Sequence, residues 1–114
     1  MSLTLALVTI DASDAVRLGT FWADVVGAKI HLTESGAYVM LGGGQPGLAF
    51  QQVDTPTPGK NKFHLDFATN NIAVEEARLL ELGATKMGDF GDSSFRWVQF
   101  ADLEGNLFDV AIEG

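Results

Sequence analysis

The sequence predicts an α+β protein made of two βαβββ modules, and three observations carry that prediction. A strand that leads into a helical stretch occurs twice: "ALVTIDASD" runs into "AVRLGTFWADVVGAKI", and "FHLDFATNN" runs into "IAVEEARLLELGATKM". Each helix is preceded by a cap-type residue, Asp14 or Asn71, and stops at a glycine, Gly27 or Gly83; glycine tolerates the left-handed backbone that closes a helix. The strands that follow also correspond, "AYVML" with "RWVQF" and "GLAFQQV" with "NLFDVAI". Module one then covers about 3–53 and module two about 61–112. "DTPTPGK", Asp54 to Lys60, carries two prolines and a glycine and is the natural linker inside a single domain.

The elements follow in order. In the first helix Leu18, Phe21, Trp22 and Val25 fall at i, i+3, i+4 and i+7, one buried face. Val74, Ala77 and Leu80 repeat this more weakly in the second, so Trp22 and Leu80 are expected under their sheets. The glycine cluster "GGGQPG", Gly42 to Gly47, is followed by strand-forming residues, so it reads as a hairpin loop and not a phosphate cradle. In the fifth strand, alternation puts Phe63, Leu65 and Phe67 on one face and His64 and Asp66 on the other. Val98 and Phe100 belong to the core, which turns Trp97 and Gln99 to the opposite face. By the repeat, Tyr38 and Met40 do the same in module one. In "DLEGNLFDVAI" the apolar Phe108, Val110 and Ile112 face the core, and Asp109 points away from it.

Composition narrows the functional classes. The chain has 114 residues, 46% of them hydrophobic, which supplies one core without staples. There are no cysteines, so disulfides, thiolate chemistry and cysteine metal sites are excluded. The net charge is −8 with the few basic residues scattered, so nucleic acid is not expected as a partner. No stretch approaches the roughly 20 apolar residues of a membrane helix, and the N-terminus lacks a signal-peptide n-region, so a cytoplasmic protein without membrane association is expected. The terminal "MSL" and "EG" are left out of the site. An acidic cleft attracts cationic small molecules.

"FWADVVGA", "FHLDF", "LLELGAT" and "DLEGNLFDV" together resemble the vicinal oxygen chelate superfamily: glyoxalase I, bleomycin-resistance proteins and extradiol dioxygenases. The likeness covers essentially the whole chain and is nearest to the compact glyoxalase-like branch. It implies that the two modules form a cup-shaped, eight-stranded mixed sheet with helices outside and the site on the concave face. Active members place four ligands for a divalent metal there, one each from the first, fourth, fifth and eighth strands. Carried over position by position, His64 matches the fifth-strand histidine and Asp109 the last carboxylate. Leu7 stands where the first histidine would be. The fourth position falls at Phe50 or Gln51; Gln51 is preferred, because that register sends Leu48 and Phe50 into the core.

Leucine has no donor atom and glutamine is a weak neutral ligand, so a catalytic zinc or non-haem iron set is incomplete. His31, the only other histidine, reads as a surface or edge-strand residue. The expected site is therefore an acidic, aromatic one that binds a small cationic or aromatic molecule without a tightly held metal. It draws on Tyr38, Met40, Gln51, His64, Asp66, Trp97, Gln99 and Asp109. Trp97 and Tyr38 can sandwich a flat or cationic ligand. The alternative is an enzyme of the same superfamily, a lyase, isomerase or dioxygenase. It would use His64 and Asp66 for acid–base catalysis, since a carboxylate orients the imidazole and fixes its tautomer. It could instead use a divalent metal held by His64, Asp109 and Gln51. No other cofactor is expected. The resemblance further implies a homodimer, which would also cover exposed sheet edges.

Overall fold

The computed structural model describes residues 5–33, 35–61 and 63–112. Residues 3 and 4 of the expected first module lie outside this range. The element order is β1 (Leu7–Ala12), α1 (Ala15–Val26), β2 (Lys29–Leu32), β3 (Tyr38–Gly42), β4 (Gly47–Gln52), β5 (Leu65–Thr69), α2 (Ile72–Leu82), β6 (Thr85–Gly91), β7 (Arg96–Ala101) and β8 (Leu107–Ile112). This is βαβββ twice, an α+β fold. The eight strands lie in two mixed sheets of four, ordered β1-β4-β3-β2 and β5-β8-β7-β6. The chain divides into two compact units, Met1–Thr57 and Pro58–Gly114, and the division falls within the proline-bearing segment 54–60.

In unit one, α1 starts at Asp14, whose side chain accepts from the Arg17 N–H, and ends at Gly27 with φ of 70°. Leu18, Phe21 and Trp22 are buried, and Phe21 meets Trp22 edge to face. The helix sits close to its sheet. A Cβ on Gly19 would come within 2.6 Å of Val39 Cγ1 and 3.4 Å of Phe50 Cδ2, so only glycine lets the backbone approach. The side chain of Gln52, at the end of β4, accepts from the Ala15 N–H at 2.8 Å and donates to the Ser13 carbonyl. That ties the start of α1 to the sheet. β3 and β4 are antiparallel and joined by Gly43–Pro46, the hairpin loop expected for the glycine cluster.

Unit two repeats the plan with one difference. Asn71 caps α2 by accepting from the Val74 N–H, and Gly83 closes it with φ of 111°. The expected helix face is wrong, however. Ile72 and Leu79 are the buried residues of α2, whereas Val74 and Leu80 are 58% and 45% exposed. Ile72 and Leu79 fall at i and i+7, and half-buried Glu76 lies between them on the same face at i+4. Glu76 can lie there because Lys86 of β6 reaches its carboxylate at 3.1 Å. A charge on that face disguises its period. Phe63, also placed in the core by alternation, is 87% exposed and precedes β5, so no neighbouring strand covers it.

The core of unit two is aromatic and β-branched. Phe100 and Phe108 stack, Phe67 meets Phe108 edge to face, and Val98 and Val110 are buried with them. Leu79 is the most deeply buried side chain of α2. Leu79→Ala should therefore cost about 2–5 kcal/mol in urea unfolding, and Leu80→Ala should fall within about 0.5 kcal/mol of the parent. Equal losses would restore the face expected from sequence.

Candidate functional site

The side of the unit-two sheet turned away from Val98, Phe100, Phe108 and Val110 carries the polar residues. Parallel pairing of β5 with β8 sets Asp66 opposite Asp109, and antiparallel pairing of β7 with β8 sets Gln99 opposite Asp109. Pairing of β6 with β7 sets Gly88 opposite Gln99. Gly88, Gln99, Asp109 and Asp66 thus form one rung across four strands. Along the neighbouring rung lie Phe90, Trp97, Ala111 and Ala68. His64 directly precedes β5 and reaches over the acidic end of the first rung. Its Nε2 lies 3.4 Å from Asp66 Oδ2 and 3.5 Å from Asp109 Oδ2.

The two carboxylates differ in environment. The Asp66 side chain is 72% exposed, and that of Asp109 only 15%. Oδ1 of Asp109 is buried and has no hydrogen-bond partner within 3.5 Å. Burial holds the Asp109 carboxyl above its ordinary value of 3.8. The charge of His64 pulls it down, the Asp66 carboxylate pushes it back up, and the Gln99 amide lowers it again. The net direction is upward, because desolvation outweighs the attraction of an imidazole that is itself half exposed.

Two further residues position this group, and sequence reasoning missed both. Asn61 bridges the approach to β5 and the start of β8. Its Oδ1 accepts from the Leu107 N–H at 2.8 Å, and its Nδ2 donates to the Leu107 carbonyl at 3.3 Å and to the Phe63 carbonyl. The backbone just before His64 is thereby fixed to the strand that carries Asp109. Asp102 is buried and orders the turn into β8. Its Oδ1 accepts from the N–H groups of Glu104 and Asn106, each at 2.9 Å, and its Oδ2 from Asn106 Nδ2 at 3.0 Å. Gly105 completes that turn with φ of 86°. An asparagine that bonds main chain 46 residues away leaves no local pattern. The Asp-x-x-x-Asn turn of "DLEGN" does have one.

The remaining expected residues lie on unit one. Val39 and Phe50 are buried under α1, so alternation puts Tyr38, Met40 and Gln51 on the other face of that sheet. Tyr38 pairs with Gln51 across β3 and β4. Phe50 is thus excluded from that face. Leu7 shares it and is 37% exposed, and His31, on the edge strand β2, pairs with Met40 there.

The donor set can be tested against the metal that the resemblance implies. Leu7 offers no donor and Gln51 only a neutral amide, so the four-position set is not met. Among the described residues, one His/Asp group brings its donor atoms within 4.8 Å of one another: His64, Asp66 and Asp109. Asp66 belongs to no position of the implied set.

The family model for the glyoxalase-like domain matches residues 7–111. Similar solved structures include a glyoxalase/bleomycin resistance protein/dioxygenase family enzyme from Burkholderia phytofirmans PsJN. It is 20% identical, with a TM-score of 0.81 over 96% of this chain and 98% of that one. Lactoylglutathione lyase from Agrobacterium tumefaciens is 17% identical, with a TM-score of 0.70 over 98% and 95%. TnmS3, an antibiotic binding protein from Streptomyces sp. CB03234, is 21% identical, with a TM-score of 0.70 over 100% and 98%. No curated protein matches the chain.

The raised Asp109 carboxyl has a consequence for stability. The unfolded chain ionises freely above the ordinary value of 3.8, while the fold resists the charge. The folded state then binds more protons than the unfolded one in that range, and stability falls as pH rises through it. Asp109→Asn removes the titration. Its Tm should exceed the parent's at neutral pH, and the difference should close as pH falls towards 3.8. A variant that is less stable at neutral pH would mean that attraction to His64 dominates over burial.

Proposed function

Because the chain belongs to the glyoxalase-like domain family, we propose that it is a small-molecule-binding member whose unit-two site takes a cationic or polar ligand without a tightly bound metal. One observation carries this reading. His64, Asp66 and Asp109 converge around a mostly buried carboxylate, and one of that carboxylate's oxygens has no hydrogen-bond donor. A protonated amine pairs with the open edge of this carboxylate cluster, with Asp66 on the exposed side and the Gln99 amide beyond. An ammonium group also offsets the Asp66–Asp109 repulsion, which the half-exposed imidazole does only in part. The similar TnmS3, described as antibiotic binding, supports binding as a function of this fold. In this reading the two modules act as one cytoplasmic domain, and the protein is a homodimer that protects its sheet edges.

A second reading rests on the same three donors. One imidazole and two carboxylates can hold a divalent ion with open positions, and such an ion supplies Lewis-acid polarisation of a substrate oxygen. His64, flanked by two carboxylates, then moves a proton, and the protein is an enzyme of the family. Metal-free binding is favoured because two carboxylates and one imidazole lie on a single module, while the first-strand position, Leu7, has no donor.

Calorimetric titration of the purified protein with zinc, nickel, manganese and iron(II) separates the two. The expected result is no saturable binding of any of them below the millimolar range. Propylammonium should by contrast bind, and the interaction should weaken about tenfold in Asp109→Asn, the loss of one charge-assisted hydrogen bond. One equivalent of tightly held metal that disappears in Asp109→Asn would overturn the binding reading in favour of the enzyme. Sedimentation velocity on the same samples checks the dimer: a species of 12.2 kDa alone at tens of micromolar contradicts it.

A further inference from the structure

The rung beside the acidic one is built differently at its two ends. On β6 and β7 it carries Phe90 and Trp97, whose rings stack with centroids 5.8 Å apart and planes 17° apart. Phe95 leans on the same indole at 5.8 Å. On β8 and β5 it carries only Ala111 and Ala68. A large aromatic wall thus borders a flat floor of two methyl groups. Phe90 and Phe95 are 43% and 53% exposed, which is costly apolar surface for side chains that make one ordered stack.

Phe90 reaches this face because of an irregularity in β6. The β6–β7 register shifts between Lys86 and Gly88, leaving Met87 unpaired. After that bulge, Phe90 falls opposite Trp97 and on the polar side of the sheet, not on the helix side with Lys86. The ring folds back over Gly88: a Cβ there would lie 3.3 Å from Phe90 Cε2 and 3.4 Å from Cζ. Gly88 is opposite Gln99, which is opposite Asp109. The aromatic wall therefore adjoins the row that ends in the carboxylates.

We propose that Phe90, Trp97 and Phe95, with the floor of Ala68 and Ala111, form an aryl subsite one rung from Asp66 and Asp109. The inference rests on the cation-binding reading and narrows its ligand to a planar aromatic amine. Neighbouring same-face positions on a strand lie about 7 Å apart. The preferred ligand accordingly carries its protonated nitrogen about 7 Å from its ring, a spacer of about three carbons. Charge complementarity selects this occupant: the floor takes the ring against the Trp97 edge, and the acidic end takes the ammonium.

The test compares 3-phenylpropylamine with propylamine by NMR chemical-shift titration of the full-length protein. The ring should add about threefold to tenfold in affinity, the worth of one aromatic contact. Ala111→Leu, which fills the floor, should abolish that advantage, and Phe90→Ala, which removes the ring stacked on Trp97 from the far side, should reduce it; both should leave propylamine binding unchanged. Both variants lie on exposed or half-exposed positions, and thermal unfolding verifies that they fold. An advantage that persists in both variants overturns the aryl subsite while Asp109-dependent propylamine binding keeps the underlying reading. If neither amine depends on Asp109, the cation site itself fails and the subsite with it. If Phe90→Asp splits a dimer while the affinity difference between the amines stays put, the stack is a contact between copies of the chain, which also overturns the subsite.

Discussion

In each module the first strand pairs in parallel with the last, β1 with β4 and β5 with β8. A parallel pair cannot be closed by a tight turn. The chain must pass through a helix and two more strands before the pair can form, and the loop entropy of that excursion is offset only once the helix has packed. The rest of each module depends on this closure. It makes the last strand central, bonded on both sides, and it brings residues forty or more positions apart into register. Asp66 and Asp109 are neighbours for this reason alone. The close seat of α1 on Val39 and Phe50, through Gly19, belongs to the same constraint, because the crossover helix must lie flat on the sheet that it closes.

The central position of β8 also explains why the two carboxylates differ. A side chain on a central strand is flanked on both sides, so Asp109 is largely desolvated while Asp66, one strand further out, stays wet. Two like carboxylates on one rung are thereby given unequal environments, the usual route by which proteins set two acidic groups to different tasks. His64 stands above them at the open edge. Neither Asn61 nor Asp102 touches the acidic pair, yet they fix the two backbone segments that present it. The site is thus assembled from one exposed edge, one buried centre and two polar fasteners.

Much of this was legible in the sequence, for physical reasons that differ from one element to the next. Helix ends were readable because caps are local: Asp14, Asn71, Gly27 and Gly83 each act within a few residues. The faces of β7 and β8 were readable because alternation on a half-buried strand is strict, as in Val98, Phe100, Phe108 and Val110. The face of α2 was not, since half-buried Glu76, paired with Lys86 of β6, stands between Ile72 and Leu79 and breaks the apolar period. Phe63 defeated alternation because pairing had not yet begun there. Phe90 was hidden by a bulge at Met87, which reverses sides with no change in composition. The neighbourhood of His64 and Asp109 was suggested by resemblance joined to alternation, while the part played by Asp66 came from alternation alone.

The clamp at Asn61 has a consequence for how this architecture can change. It fastens the chain to Leu107 just after the proline-bearing connector, so whatever happens upstream is mechanically isolated from the segment that carries His64. Slack in the connector ends at the clamp. Insertions, deletions or a break between residues 54 and 60 would then be absorbed without moving the imidazole relative to its carboxylates. Unit two carries both halves of that fastening within its own chain. A fold made of duplicated modules can in this way be recombined, permuted or exchanged between copies, with the His64–Asp66–Asp109 cluster travelling intact inside one of them.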